Sequence, residues 1–246
     1  MVKPLYCRMG AKTPIKKKII PLIPNHKIYV EPFIGGGAIF FEKELAEKNV
    51  INDLETDLIR DYKIARDAPS DKEKYKKDLD NTNALQRYYF MGSYNSPADK
   101  FMKTIIKRCN GFGARPVSTT VYNDSNPYNK IKLLDQYQEK LKATTILNQD
   151  YKSVIKTYDS PNTFFYLDPP YEKSKGLYEE FTMDFEEMAR LLKSIKGQFL
   201  LSINDSANIR NIFKDFKQSK LVVPPQSRNE GTAGSKPRAE LLIRNY

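Results

Sequence analysis

Cysteine and histidine are scarce in this chain of 246 residues, which has two of the first and one of the second. Cys7 and Cys109 cannot supply a disulfide framework or a cysteine-based zinc site, and His26 alone cannot supply a histidine-rich one, so no bound metal is expected. No apolar run approaches the roughly 20 residues that span a bilayer. The stretch MVKPLYCRMG lacks the apolar core of a signal peptide. These absences predict a soluble protein of a reducing, cytoplasmic interior, nucleoid-associated or virus-encoded. Acidic residues are also short in number: 30 Asp and Glu face 41 Lys and Arg, a net charge of +11. None lies in the first 30 residues, which hold Lys3, Arg8, Lys12, Lys16, Lys17, Lys18 and Lys27. That imbalance points to a polyanionic partner, nucleic acid first, although a lysine-rich solubilising surface would have the same composition.

What is present is an alternation of strand-like and helix-like stretches, the pattern of an α/β sheet. KIYVE (27–31), NVIN (49–52), TTILN (144–148), TFFYLD (163–168), FLLSI (199–203), KLVV (220–223) and AELLI (239–243) read as strands. AIFFEKELAEK, DLETDLIRDYKIARD and DFEEMARLLKSIK read as helices, the last capped by Asp184 with Glu187 three residues on. The last two strands have only a polar loop between them and should pair antiparallel, because a parallel crossover needs about a dozen residues and usually a helix. Residues 61–143 break the rhythm and read as a helical insertion with a loop or hairpin; 1–60 and 144–246 then form one domain.

Three landmarks carry chemistry. VEPFIGGGAIFF joins a strand to a glycine run, Gly35–Gly37, where backbone can approach a ligand closely; it lacks the G-x-G-x-x-G spacing of a pyrophosphate site. Asp53 directly follows the strand NVIN, where an acid can accept hydrogen bonds from ribose hydroxyls or, equally, cap the next helix. YLDPPY (166–171) ends a buried strand in a carboxylate, two prolines and an aromatic ring. An aromatic amino group such as adenine's is a poor nucleophile because its lone pair is delocalised into the ring. The Asp168 carboxylate and the Pro169 carbonyl, side by side, could accept its two N–H bonds and turn that lone pair outward. Pro169 and Pro170 fix the direction through their locked φ angles. The Tyr171 ring could stack an extruded base, worth about 1–3 kcal/mol.

Together these residues resemble the amino-methylating DNA methyltransferases, and in detail the Dam-like adenine-N6 family in its α arrangement of motifs. The resemblance covers roughly residues 5–60 and 145–246. It implies a Rossmann-like, mostly parallel seven-stranded sheet with an antiparallel last strand, and S-adenosyl-L-methionine as cofactor. It implies a catalytic motif of Asp168, Pro169, Pro170 and Tyr171. It also implies cofactor contacts at Arg8 and Lys12 (RMGAK), at Glu31, Phe33, Gly35 and Gly37 (EPFIGGG), and at Asp53 and Asp168. Two positions depart from the family's pattern. Arg8 replaces an aromatic residue, and after NGF (110–112) the expected arginine is displaced to Arg115, with Ala114 in its place. The target sequence therefore stays open.

The activity so implied is methylation of adenine N6 at a specific site in double-stranded DNA, without metal or covalent intermediate, possible company being a restriction endonuclease. DNA would be bound by Lys16–Lys18, by Arg108, Asn110 and Arg115 of the insertion, and by Arg228, Lys236 and Arg238. Cytosine N4 or adenine in RNA are alternative substrates, and a catalytically inactive DNA-binding module is the alternative outside enzymes.

Overall fold

The computed structural model describes residues 4–6, 12–80, 96–110, 128–171, 183–223 and 238–246. In chain order these form α1 (Lys16–Ile19), a 3-10 turn (Ile20–Leu22), β1 (Ile28–Glu31), β2 (Lys48–Asn52), α2 (Thr56–Asp67), α3 (Lys72–Asp80) and α4 (Pro97–Asn110). There follow α5 (Tyr128–Ile131), α6 (Leu134–Lys142), β3 (Thr144–Leu147), α7 (Tyr151–Tyr158), β4 (Thr163–Leu167) and α8 (Phe185–Ser194). β5 (Gln198–Asn204), α9 (Ala207–Ile212), β6 (Lys217–Val223) and β7 (Arg238–Arg244) complete the order.

Every strand read from the sequence is present, and the sheet order is β3-β2-β1-β4-β5-β7-β6. β1 runs parallel to β2 and β4, and β4 to β5; β7 is antiparallel to both β5 and β6. This is the expected α/β architecture. The residues explain it. All five positions of β4 are buried, as the unbroken apolar run TFFYL requires of a parallel strand covered on both faces. At the sheet's edge β6 exposes Lys217 and Lys220, charges that discourage pairing with another chain. α8 starts where expected: the Asp184 carboxylate accepts from the Glu187 N–H, and Phe185, Met188 and Leu192 form its buried stripe.

Strand order reverses between β1 and β4, and ligands of open α/β sheets gather outside the carboxyl ends at such a reversal. Glu31 ends β1, and Asp168 immediately follows β4, the neighbouring strand.

The described chain groups into two compact units. One comprises residues 1–16, 34–45 and 53–148; the other comprises 17–33, 46–52 and 149–246. The described residues between 61 and 143 belong to the first.

One expected helix is not there. Residues 38–43 of AIFFEKELAEK form consecutive turns, with isolated bonds from Phe41 N–H to Gly37 O (3.0 Å) and from Lys43 N–H to Ile39 O (3.0 Å). Ala38, Ile39, Phe40 and Phe41 are all buried, so the segment lacks the solvent face of an amphipathic helix. Phe41 instead plugs an aromatic cluster, edge-on to Tyr137 at 5.1 Å and tilted against Tyr62 at 6.2 Å. In α2, Leu58, Ile59 and Tyr62 are buried, whereas Leu54 precedes the helix and is exposed.

Candidate active site

In the first unit the glycine run is a fixed turn. Gly35 and Gly37 have φ of 47° and 74°, the left-handed region that side chains rarely adopt. A Cβ on Gly37 would lie 2.7 Å from the buried Phe41 ring and 3.1 Å from the Tyr62 hydroxyl. Tyr62 donates its hydroxyl proton to Gly35 O at 2.7 Å, and the Gly35 N–H donates to Asp53 Oδ2 at 3.0 Å. The other carboxylate oxygen of Asp53 accepts from the Glu55 N–H at 3.1 Å. Asp53 thus ties the glycine turn to the segment that leads into α2. The amide of Asn148 holds the backbone of this corner, donating to Asp53 O (2.8 Å) and Leu54 O (3.1 Å). Lys12 is buried in the same unit.

In the second unit, the exits of β1 and β2 are fastened by Asn52, which is buried. Its amide donates to Pro32 O (3.0 Å) and Gln149 O (2.9 Å), and its Oδ1 accepts from Gln149 N–H (2.9 Å). Glu31 is buried and accepts the Tyr29 hydroxyl at 2.6 Å, two residues back on the same strand face. Burial, reinforced by the Glu31 charge, holds the Tyr29 phenol well above its ordinary pKa. Phe33 packs against Tyr151 with ring centroids 5.3 Å apart. Beyond β4, Asp168 and Pro170 are half-buried and Pro169 is buried. Tyr171 donates its hydroxyl to Glu240 of β7, 2.6 Å from Oε1 and 2.8 Å from Oε2. Ser202 of β5 donates to the same Oε1 at 2.6 Å.

Asn52, Asn148, Ser202 and Glu240 were not singled out by the sequence reading. Each is one polar residue near a strand end, and only the pairing of distant strands reveals its task.

Two of the expected DNA contacts have other partners. Arg108 is buried, 1 % exposed, and cannot serve as a phosphate-facing surface residue. Its Nε donates to Asp61 Oδ2 at 2.7 Å, both terminal nitrogens reach Glu55 Oε1 at 3.2 Å, and the guanidinium stands 5.6 Å from the Tyr6 ring. Burial works against its charge, but the Asp61 carboxylate overrides this and holds Arg108 above its ordinary pKa. Lys16, also nearly buried, is paired with Glu42 at 2.8 Å. Lys17 and Lys18 are exposed. Arg8, Arg115, Arg228 and Lys236, and the side chains of Asn110 and Arg238, lie outside the described residues. Among the described residues no helix is long and apolar enough to cross a membrane.

Comparison with known proteins follows the same lines. Residues 9–224 match the D12 class N6 adenine-specific DNA methyltransferase family. The chain is 25% identical over 261 residues to the type II methyltransferase M.CviBI of Paramecium bursaria Chlorella virus NC1A, covering 100% of both chains. It is 25% identical over 304 residues to the type II methyltransferase M.MjaIII of Methanocaldococcus jannaschii, covering 100% of this chain and 99% of that one. To the DNA adenine methylase of Escherichia coli K12 it is 22% identical over 263 residues, 96% of this chain and 92% of the other.

Proposed function

The chain belongs to the D12 class N6 adenine-specific DNA methyltransferases, transferring a methyl group from S-adenosylmethionine to adenine N6 in DNA, and from that premise we propose that the DPPY corner carries the reaction. Asp168 and the Pro169 carbonyl accept the two N–H bonds of the target amino group. The nitrogen becomes pyramidal and its lone pair faces outward. Pro169 and Pro170 keep the two acceptors from turning away. The Tyr171 ring stacks the extruded base and recovers part of the few kcal/mol spent in flipping it. The observation that carries this reading is the place of Asp168: directly after a fully buried central strand, half-buried, beside the reversal of strand order.

The sulfonium of the cofactor makes its methyl carbon electrophilic. This chain's residues fit a nucleoside-bearing molecule of that kind. The Asp53 carboxylate is held beside the glycine turn by the Gly35 and Glu55 N–H groups, at the end of the second strand, where an acid can accept from ribose hydroxyls. Leu54 beside it is 49 % exposed, one of two large hydrophobic residues so exposed among those described, and offers an apolar face. Gly35 and Gly37 keep the backbone bare. Lys12, Glu31, Phe33, Gly35, Gly37, Asp53 and Asp168 are the cofactor residues in this reading, and holding both reactants oriented supplies much of the rate. Exposed Lys17 and Lys18 contribute to the grip on phosphates. The names of the viral and archaeal relatives, both type II methyltransferases, support a restriction–modification setting with a companion endonuclease.

The test is Asp168→Ala, assayed with labelled cofactor on duplex DNA, single-stranded DNA and RNA. Methylation of duplex adenine should fall at least about 10³-fold, the scale on which positioned catalytic groups act, while DNA binding persists. A variant retaining a tenth of wild-type activity would remove Asp168 from the chemistry.

A further inference from the structure

Glu240 is 4 % exposed and Ser202 is 0 % exposed, yet both are polar. A carboxylate withdrawn from water is costly unless donors converge on it. Here they do, and one of them is the last residue of the catalytic motif: Tyr171 O–H points at both oxygens of Glu240, and Ser202 O–H at Oε1. The sheet arranges this. β4 and β5 pair Leu167 with Leu201, so Asp168, just past the end of β4, follows in step with Ser202 of β5. β5 and β7 pair Asn204 with Glu240, so Ser202, Asn204 and Glu240 share one face of the sheet.

We propose that Glu240, seconded by Ser202, is a positioning residue that locks the Tyr171 ring in the orientation in which it stacks the flipped adenine. The proposal rests on the reading of Tyr171 as the stacking platform. A tyrosine side chain has two rotatable bonds, and a ring held only at its backbone end can swing about both. Two prolines set the backbone end of this ring. Glu240 sets the hydroxyl end, from a strand 69 residues away in sequence. With both ends held, the ring offers its face to an incoming base without an ordering cost at the moment of binding. A phenylalanine would stack as well but could not be held, which gives the hydroxyl a purpose that stacking alone does not.

The experiment compares Tyr171→Phe, Glu240→Gln, the double variant and Tyr171→Ala in full-length protein, on duplex DNA from a methylation-deficient host. Single-turnover methylation rates at saturating DNA and cofactor are read beside cofactor affinity and melting temperature. Tyr171→Phe and Glu240→Gln should each slow the methylation step by about tenfold and leave cofactor affinity within about twofold. The double variant should be within about twofold of Tyr171→Phe alone, because both changes act on the same bond: Tyr171→Phe removes it, and Glu240→Gln replaces the charged acceptor by a weaker neutral amide oxygen. Wild-type rates in Tyr171→Phe, or a double variant slowed by the product of the two single effects, overturn the proposal. So does a lowered melting temperature with an unchanged methylation rate, which would make Glu240 purely structural. If Glu240→Gln does not fold, Tyr171→Phe decides alone. Tyr171→Ala separates the two layers. A wild-type rate there sinks the stacking reading itself, whereas a large loss there with none in Tyr171→Phe sinks only the anchoring.

Discussion

Replacing Arg108 with methionine should destabilise the protein without weakening its grip on DNA phosphates. Methionine keeps the length of the stem and removes the fork. What remains is the Asp61 carboxylate, 7 % exposed, with its guanidinium partner gone. Breaking a buried pair from one side costs about 3–5 kcal/mol, mostly because a charge is stranded. The bond to Glu55, whose side chain is 32 % exposed, adds little, since water can replace it. The guanidinium near the Tyr6 ring adds about 0.5–1 kcal/mol. A loss of about 4 kcal/mol follows, a large share of the 5–15 kcal/mol typical of a folded protein. The loss should depend on pH. Burial already pushes the Asp61 carboxyl up, against the lowering effect of Arg108, and without Arg108 it rises further. A raised folded-state pKa means that the folded protein holds a proton the unfolded chain has released. Stability of the variant should therefore fall as pH rises from the ordinary carboxylate range through that raised value. Urea denaturation followed by circular dichroism at pH 5 and pH 8 measures both effects, and Asp61→Asn in the same background should restore much of the loss at pH 8. A variant within 1 kcal/mol of wild type at pH 8, or one equally destabilised at both pH values, would refute the reasoning.

Gly37→Ala should cost about 2–4 kcal/mol, combining a left-handed φ with a clash against a core ring that cannot withdraw; an unchanged urea midpoint would contradict the turn geometry. Lys17→Ala and Lys18→Ala should each lower the salt slope of DNA binding by about 0.9 if each side chain neutralises one phosphate, and a slope identical to wild type would remove that residue from the interface. Tyr151 is raised to about 12, chiefly by burial. The unfolded chain then ionises first, so stability falls as pH rises from 10 to 12, and Tyr151→Phe should lack that part of the decline in a pH series of melting temperatures.

Much of this molecule is written locally. The strand β4 is legible because a strand covered on both faces has nowhere to place a polar side chain, so TFFYL can be little else. The start of α8 is legible because Asp184 and the Glu187 N–H lie three residues apart. The motifs DPPY and EPFIGGG are legible because their chemistry is carried by adjacent residues. The turn at 38–43 is not legible, because apolar residues followed by charged ones in AIFFEKELAEK suit a helix, and only the tertiary structure buries Ala38, Ile39, Phe40 and Phe41 together, with Phe41 set among Tyr62 and Tyr137.

Sequence alone therefore determined the order of the strands along the chain and the α/β character of the sheet, and singled out the DPPY corner as the candidate site, all consequences of short-range patterning. Tertiary structure decided which charges are surface and which are interior. Arg108 reads like any other basic residue until Asp61 and Glu55, 47 and 53 positions away, close on it. It also decided that the hydroxyl of Tyr171 belongs to Glu240 and that Asn52 fastens the ends of two strands. Burial and partner choice are set by strands and helices that meet only on folding, and a side chain's type does not say whom it will meet.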